Sequence, residues 1–492
     1  MNILLINPEF PDTFWSFKYA LSFVGKRAAH PPLGLLTVAA MLPPEWSLRL
    51  VDTNVRRLKQ RDLAWADAVF VSAMGVQRAS AQEIISRCKA AGLRTVAGGP
   101  LFTGEPDDFD MVDHLVLNEA ELTLPGFLRD IMRGSPQHLY ASEQFADMHR
   151  TPTPRWDLLD LRRYASMSVQ FSRGCPFNCD FCNVTALLGH RVRTKTSRQI
   201  IAELDGLYAL GWRGEVFFVD DNFIGNKQFL KNDLLPALID WRKDKRGVAF
   251  YTEASINLAE DEPLMGLMAE AGFTKVFIGI ETPDDTCLAE CRKLQNKGRD
   301  LLADVRRIQQ SGLEVQGGFI VGFDHDQPSI FQRQIDFIQQ SGIVTAMVGL
   351  LQALPGTRLY ERMKKEGRLR GKSSCDNVDG TTNILPTMDL DVLRQGYREI
   401  LRHIYSPKYF YERVRTHLRT IKVAQVRTPV RISGIYALMR SFWRLGIVGR
   451  ERFQYWRLLF WTMCRRPRLL PQAVTMAIYG YHFRKMCDRH VI

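Results

Sequence analysis

Ser172-Arg-Gly-Cys175-Pro-Phe-Asn-Cys179-Asp-Phe-Cys182 puts three cysteines within eight positions at C-x-x-x-C-x-x-C spacing. The run just before it, Ser168-Val-Gln-Phe171, alternates as a strand does, and Gly174 and Pro176 bend the chain around the first thiol. A tetrahedral zinc site takes four ligands from two spaced pairs, and no second C-x-x-C lies within finger distance. Three close thiolates therefore suit a cubane iron–sulfur cluster with one iron left open. Packing alone is the weaker reading, because core cysteines do not gather at ligand spacing in a loop bent by Gly and Pro. A zinc or plain electron-transfer site is the remaining competitor.

At these residues the chain resembles the radical SAM enzymes, whose motif carries an aromatic, here Phe181, before the last cysteine. The resemblance implies a 4Fe-4S cluster on Cys175, Cys179 and Cys182. It also implies S-adenosylmethionine chelated to the open iron and cleaved to a 5′-deoxyadenosyl radical.

The chain has 492 residues, which predicts about three domains. Nine cysteines, three of them in one loop and six scattered, do not form a disulfide framework, and a labile cluster requires reducing surroundings. The expected location is cytoplasmic. The start, Met1-Asn-Ile-Leu-Leu-Ile-Asn-Pro, has no basic n-region and reads as a buried strand rather than a signal peptide. No window reaches the roughly 18 apolar residues of a spanning helix. The net charge of +13 is uneven: residues 391–492 hold 21 Lys and Arg against 5 Asp and Glu, so the remainder sums to −3.

Residues 1–134 predict a Rossmann-like α/β domain with five parallel strands, at 3–6, 48–51, 68–71, 95–97 and 114–117. Its strand ends carry small or polar residues, where open α/β sheets bind ligands, and no G-x-G-x-x-G loop is present to favour a dinucleotide. His30, before Pro31-Pro32, reads as a turn residue. The aromatic stretch Pro8-Glu-Phe-Pro-Asp-Thr-Phe-Trp15 reads equally as a core plug or as an active-site lining. Residues 135–165 form a linker. Residues 166–369 repeat a strand-then-helix pattern six times, a partial (β/α)6 barrel. Cys287 and Cys291, at i and i+4, read as packing. A linker at 370–390 contains Cys375, and 391–492 is a basic α-helical domain. Its aromatic, arginine-rich part suits a membrane interface, with nucleic acid or a plain structural cap as rivals.

The first domain resembles the cobalamin-binding domain that precedes many radical SAM barrels. That implies cobalamin contacts at Ser72, Gly98, Gly99, Pro100 and Glu119, with Met74 and Gln77 after strand three facing the lower side of the ring. The D-x-H-x-x-G signature is absent, so no protein histidine on cobalt is expected. In the barrel, the resemblance assigns S-adenosylmethionine contacts to Phe181, Asp220, Asp221, Glu281 and Gln316. The whole chain resembles the cobalamin-dependent radical SAM methyltransferases, most closely the group of hopanoid 2-methyltransferases. This implies methyl transfer through methylcobalamin to an unactivated sp3 carbon of a lipid-like substrate, with a flavodoxin- or ferredoxin-type reductant. Peripheral contact with the inner membrane face is implied too, and nucleic acid is disfavoured. A cyclase, a methylthiotransferase, a methylase of a porphyrin, RNA or other natural product, and a non-catalytic nucleic-acid-binding iron–sulfur protein are the alternatives.

Overall fold

Strands buried on both faces need helices on both sides, and the apolar runs of the first domain meet that requirement. In the computed structural model, which describes residues 1–376, 379–423 and 432–490, β1 (Asn2–Asn7), β2 (Ser47–Asp52), β3 (Ala68–Ser72), β4 (Arg94–Gly98), β5 (His114–Val116) and β6 (Leu139–Tyr140) form one parallel sheet. The order is β2-β1-β3-β4-β5-β6. Along β1 the side chains divide by parity. Leu4 and Ile6 pack with Ile84 and Ile85 on one face, while Ile3 and Leu5 pack with Leu35 and Ala39 on the other. The sheet has six strands rather than the expected five. The sixth comes from the stretch expected to be linker, where two residues pair with Leu115 and Val116. A two-residue strand has no periodicity to read.

A second parallel sheet contains β7 (Ser166–Val169), then, after the short antiparallel pair β8 (Ser172–Arg173) and β9 (Arg193–Thr194), β10 (Glu215–Phe218), β11 (Ala249–Ala254), β12 (Phe273–Glu281), β13 (Glu314–Val321) and β14 (Ala346–Leu350). The order β14-β13-β12-β11-β10-β7 leaves β7 and β14 as edges, so the barrel is partial, with six strands as expected. Outward residues such as Phe218, Phe250, Ile278 and Val321 are wholly buried beneath the surrounding helices. Their inward neighbours Phe217, Glu253, Phe277, Gly279, Ile320 and Met347 retain accessible surface, so the lumen is hollow rather than packed.

The C-terminal region is helical. Helix Leu390–Tyr405 reaches the barrel through Tyr405, whose hydroxyl donates to the Ala346 carbonyl at 2.5 Å. The last helix, Leu470–His490, stacks Phe483 on Phe14 with ring centroids 4.2 Å apart. Among the described residues no helix is long and apolar enough to cross a membrane. His482 in that helix is fully buried, with Nε2 3.0 Å from the Phe14 carbonyl, and burial pushes its pKa down to about 4. The unfolded chain therefore takes up a proton below pH 6.5 that the folded one refuses until about pH 4. Stability should fall as pH drops through that window, by on the order of 3 kcal/mol from this group. Thermal unfolding of wild type and His482→Gln at pH 7.5 and 5 checks this: the acid loss of Tm should be smaller in the variant.

Candidate active site at the cluster loop

The cysteine loop leaves the barrel between β8 and β9, whose pairing of Ser172 with Thr194 and of Arg173 with Arg193 closes its neck. Gly174 has φ of 91°, and a Cβ there would lie 2.6 Å from the Arg191 carbonyl, so the neck admits only glycine. Cys175 N donates to Gly189 O at 3.2 Å, Cys182 N to Cys179 O at 3.2 Å, and Asp180 N to Cys291 O at 3.0 Å, which fixes the loop's backbone. None of the three thiols is in a disulfide, and each is partly accessible. Burial raises the pKa of Cys175 and pushes that of Cys182 up to about 12, so these sulfurs keep their protons until a cation displaces them. No three His, Cys, Asp or Glu side chains among the described residues converge as ligands of a single ion. A cubane asks for a wider spacing, because each thiolate binds its own iron. Three sulfurs sharing one rigid loop fit that donor set.

The two aspartates after β10 separate in role. Asp220 is fully buried and its carboxylate accepts the amides of Phe171, at 3.2 Å, and Ser172. It locks the turn from β7 into the cluster neck. Asp221 Oδ2 is buried without a hydrogen-bond partner, and burial pushes its pKa up to about 6. An orphaned carboxylate beside the cysteines is the feature that a cationic amino group would satisfy. Glu253, inward on β11, is raised to about 8 by burial, reinforced by Asp221 and Asp220. At the end of β12, Glu281 adopts φ of 65° and accepts Lys293 Nζ at 2.8 Å. Gly279 makes room for the pair, since a Cβ there would stand 2.3 Å from Glu281 Oε1. Burial opposes the charge on Lys293, but Glu281 and the neighbouring Cys179 more than reverse it, so a fixed ammonium stands next to the cluster loop. It lies 6.0 Å from the ring of Phe181. Gln316 is buried on β13 in register with Phe277.

Sequence reasoning missed Lys293 and Gln295, whose Nε2 is 3.7 Å from Cys179 Sγ. Only their position shortly after the end of β12 offered a signal. Cys287 and Cys291 are buried in a satellite core, as the spacing suggested. His30 packs against Phe217 and Tyr251, at 5.4 and 6.2 Å between ring centroids, on the lumen wall. The aromatic N-terminal stretch divides between the core and the lumen. Phe14 enters the core, while Trp15 turns into the lumen, its Nε1 3.0 Å from Met347 Sδ and its ring edge-on to Phe277 at 5.3 Å.

At the C-terminal edge of the first sheet, Gly98 and Gly99 shape the turn expected to approach a corrinoid. A Cβ on Gly98 would lie 2.5 Å from Val116 O, and one on Gly99, at φ of 93°, 2.6 Å from Ser72 Oγ. Pro100 opens the short helix Pro100–Gly104. Met74 is 53% exposed at this edge. Two of the expected residues are held by protein partners. Gln77 is 2% exposed and spends its amide on Pro8 O, Asn7 Oδ1 and Met74 N. Glu119 clamps the cluster neck, accepting Arg173 at 2.9 Å, Arg193 at 2.8 Å and Ala146 N at 2.5 Å. Glu121 holds the other arm of Arg173 at 2.9 Å. Beside this clamp a cleft of about 390 Å³, lined by Asn118, Glu119, Ser142, Phe145 and Leu187 among others, opens between the ends of the first sheet and the cluster loop. An exposed Met74, glycine-tight turns and a cleft at the strand ends suit a large ligand there.

Residues 27–128 match the B12 binding domain, 169–338 the radical SAM superfamily, and 357–491 a domain of unknown function. The chain is 40% identical to an uncharacterized methyltransferase of Synechocystis sp. over 98% of its length and 91% of the relative's. It is 36% identical to the hopanoid C-2 methylase of Rhodopseudomonas palustris over 92% of its length and 88% of the relative's. The fold is similar to that of the cobalamin-dependent S-adenosylmethionine radical enzyme OxsB with aqua-cobalamin bound, at a TM-score of 0.63 and 15% identity, covering 99% of this chain and 84% of that one.

Proposed function

This chain belongs to the cobalamin-dependent radical SAM methyltransferases, and from that premise we propose that it methylates an unactivated sp3 carbon of a polycyclic lipid of the hopanoid type. Its cofactors are a 4Fe-4S cluster, S-adenosylmethionine and cobalamin. When bound, they supply the electron that cleaves S-adenosylmethionine, the radical that removes a substrate hydrogen atom, and the methyl group.

In this reading Cys175, Cys179 and Cys182 hold the cluster. Asp221 takes the amino group of S-adenosylmethionine, and Phe181, Glu281 and Gln316 border its nucleoside. The Lys293 ammonium, fixed by Glu281, offsets the negative charge gathered by the thiolates and carboxylates around it. Ser72, Met74 and the Gly98-Gly99-Pro100 turn face the corrinoid. The loop after β3, Ala73-Met-Gly-Val-Gln77, would offer no histidine to the cobalt. The observation that carries the lipid assignment is the hollow lumen walled by Trp15, Phe217, Phe277, Ile320 and Met347. Bulky apolar side chains on that wall favour a bulky apolar substrate. A low-potential flavodoxin- or ferredoxin-type donor and a reducing cytoplasmic setting complete the proposal.

Mass spectrometry of lipids from cells with and without the gene tests it. Loss of methylated hopanoids, restored by the wild-type gene but not by a cluster-cysteine variant, is the expected result. An unchanged lipid profile in hopanoid-producing cells would sink the substrate. Electron paramagnetic resonance of the cob(II)alamin form should lack nitrogen superhyperfine splitting from a protein ligand.

A further inference from the structure

Helix Ile432–Ser441 continues into a π-helical stretch, Phe442–Ile447, turns through residues 448–451 and returns as Arg452–Arg465. The two arms are joined by Phe442 stacked on Trp456, with ring centroids 5.5 Å apart, and by Trp456 Nε1 donating to Gly446 O at 2.9 Å. Leu445, Tyr455 and Leu458 fill the inner side. The outer side is apolar and bare. Ile435, Met439, Trp443 and Ile447 recur every fourth residue, so they form one stripe. Exposure is greatest toward the tip, at 62% for Trp443, 65% for Val448 and 75% for Phe453. Contiguous exposed apolar surface of this kind marks an interaction site.

The charge around the tip selects the partner. Between Arg413 and Cys487 the only acid is Glu451, which is 5% exposed and paired with Arg484. Exposed Arg450, Arg452 and Arg457 have no carboxylate partner among the described residues. Apolar residues ringed by unneutralised arginines match the boundary between anionic headgroups and acyl chains.

We propose that this hairpin docks the protein on an anionic bilayer, with Trp443, Val448 and Phe453 inserted and Arg450, Arg452 and Arg457 at the headgroups. The hairpin is tied to the catalytic body. Arg440 donates to the carbonyls of Ser22 and Phe23 at 2.9 and 3.0 Å, and Arg444 to Ser22 Oγ at 2.7 Å. Those residues belong to helix Lys18–Val24, which directly follows the segment that turns Trp15 into the lumen. The surface thus adjoins the wall of the chamber assigned to the lipid, and its purpose, though not its evidence, rests on that assignment.

Flotation of purified full-length protein with vesicles of phosphatidylcholine alone, and with phosphatidylglycerol added, is the test. Wild type should bind the anionic vesicles at least about tenfold better, and the preference should shrink at about 0.5 M salt. V448D/F453D should lose binding to both, and R450E/R452E/R457E should lose the anionic preference. Both variants should keep wild-type circular dichroism and uncoupled cleavage of S-adenosylmethionine. Three results would overturn the proposal: vesicle binding unchanged in the tip variant, tight binding of RNA without binding of vesicles, or a dimer in sedimentation that V448D/F453D dissociates while wild type ignores lipid. Vesicle binding with no hopanoid methylation would overturn the substrate assignment and leave the docking surface standing.

Discussion

Replacing Cys175, Cys179 or Cys182 with alanine should reduce cleavage of S-adenosylmethionine to background and strip iron from the reconstituted protein. The loop offers only these three sulfurs, and a cubane that loses one thiolate loses the arrangement that keeps a single iron open. Changing both Cys287 and Cys291 to alanine is the control. Cys287 Sγ donates to Asp326 Oδ1 at 3.3 Å and Cys291 Sγ to Leu288 O at 3.7 Å, both within a buried core. Their loss should cost stability and leave iron content unchanged. Iron analysis and the absorbance near 400 nm report the outcome, and a triple variant of the loop cysteines that retains full iron would defeat the assignment of the site.

Glu119→Ala should destabilise the apoprotein by about 3 kcal/mol or more, because it leaves two buried guanidinium groups with too little compensating charge. Arg173 and Arg193 are only 12% and 15% exposed, and both point at this carboxylate, which is 3% exposed. Glu121 still holds Arg173, whereas Arg193 loses its only carboxylate partner among the described residues. Glu119→Gln should recover part of the loss by keeping a hydrogen-bond acceptor. Combining Glu119→Ala with Arg193→Met should cost less than the sum of the single changes, since removing both partners removes the buried charge. Denaturant melts of wild type and the four variants measure this. A single-variant cost below about 1 kcal/mol would mean that the clamp is solvated and does not hold the cluster neck.

Most of the barrel was readable because each of its six strands is apolar, bounded by polar ends and separated by helix-length spacers. Strand β6 was not, because two residues form a strand only where β5 offers an open edge. The site was readable where it is local. Three cysteines in one loop announce themselves, whereas Lys293 and Gln295 reach the cluster loop from more than 100 positions away. The protein partners of Glu119 and Gln77 were hidden for a related reason. A polar residue at a strand end looks alike whether it faces a ligand or a protein partner, and only the positions of Arg173, Arg193 and Pro8 decide which.

Spacing and periodicity alone determined the cluster motif, the two parallel sheets and the basic helical end, since each depends on residues close together in the chain. Tertiary structure decided how the two aspartates divide their work, because burial against two backbone amides consumes Asp220 and leaves Asp221 unpaired. It decided that the lumen is hollow, a matter of volume left between strands that no one-dimensional pattern encodes. It also divided the basic tail. Helices Leu390–Tyr405 and Leu470–His490 spend their apolar faces on the buried core, while the hairpin between them keeps Trp443, Val448 and Phe453 in water. Composition is blind to that difference, because the same residues serve a core or an exposed face according to what lies opposite them.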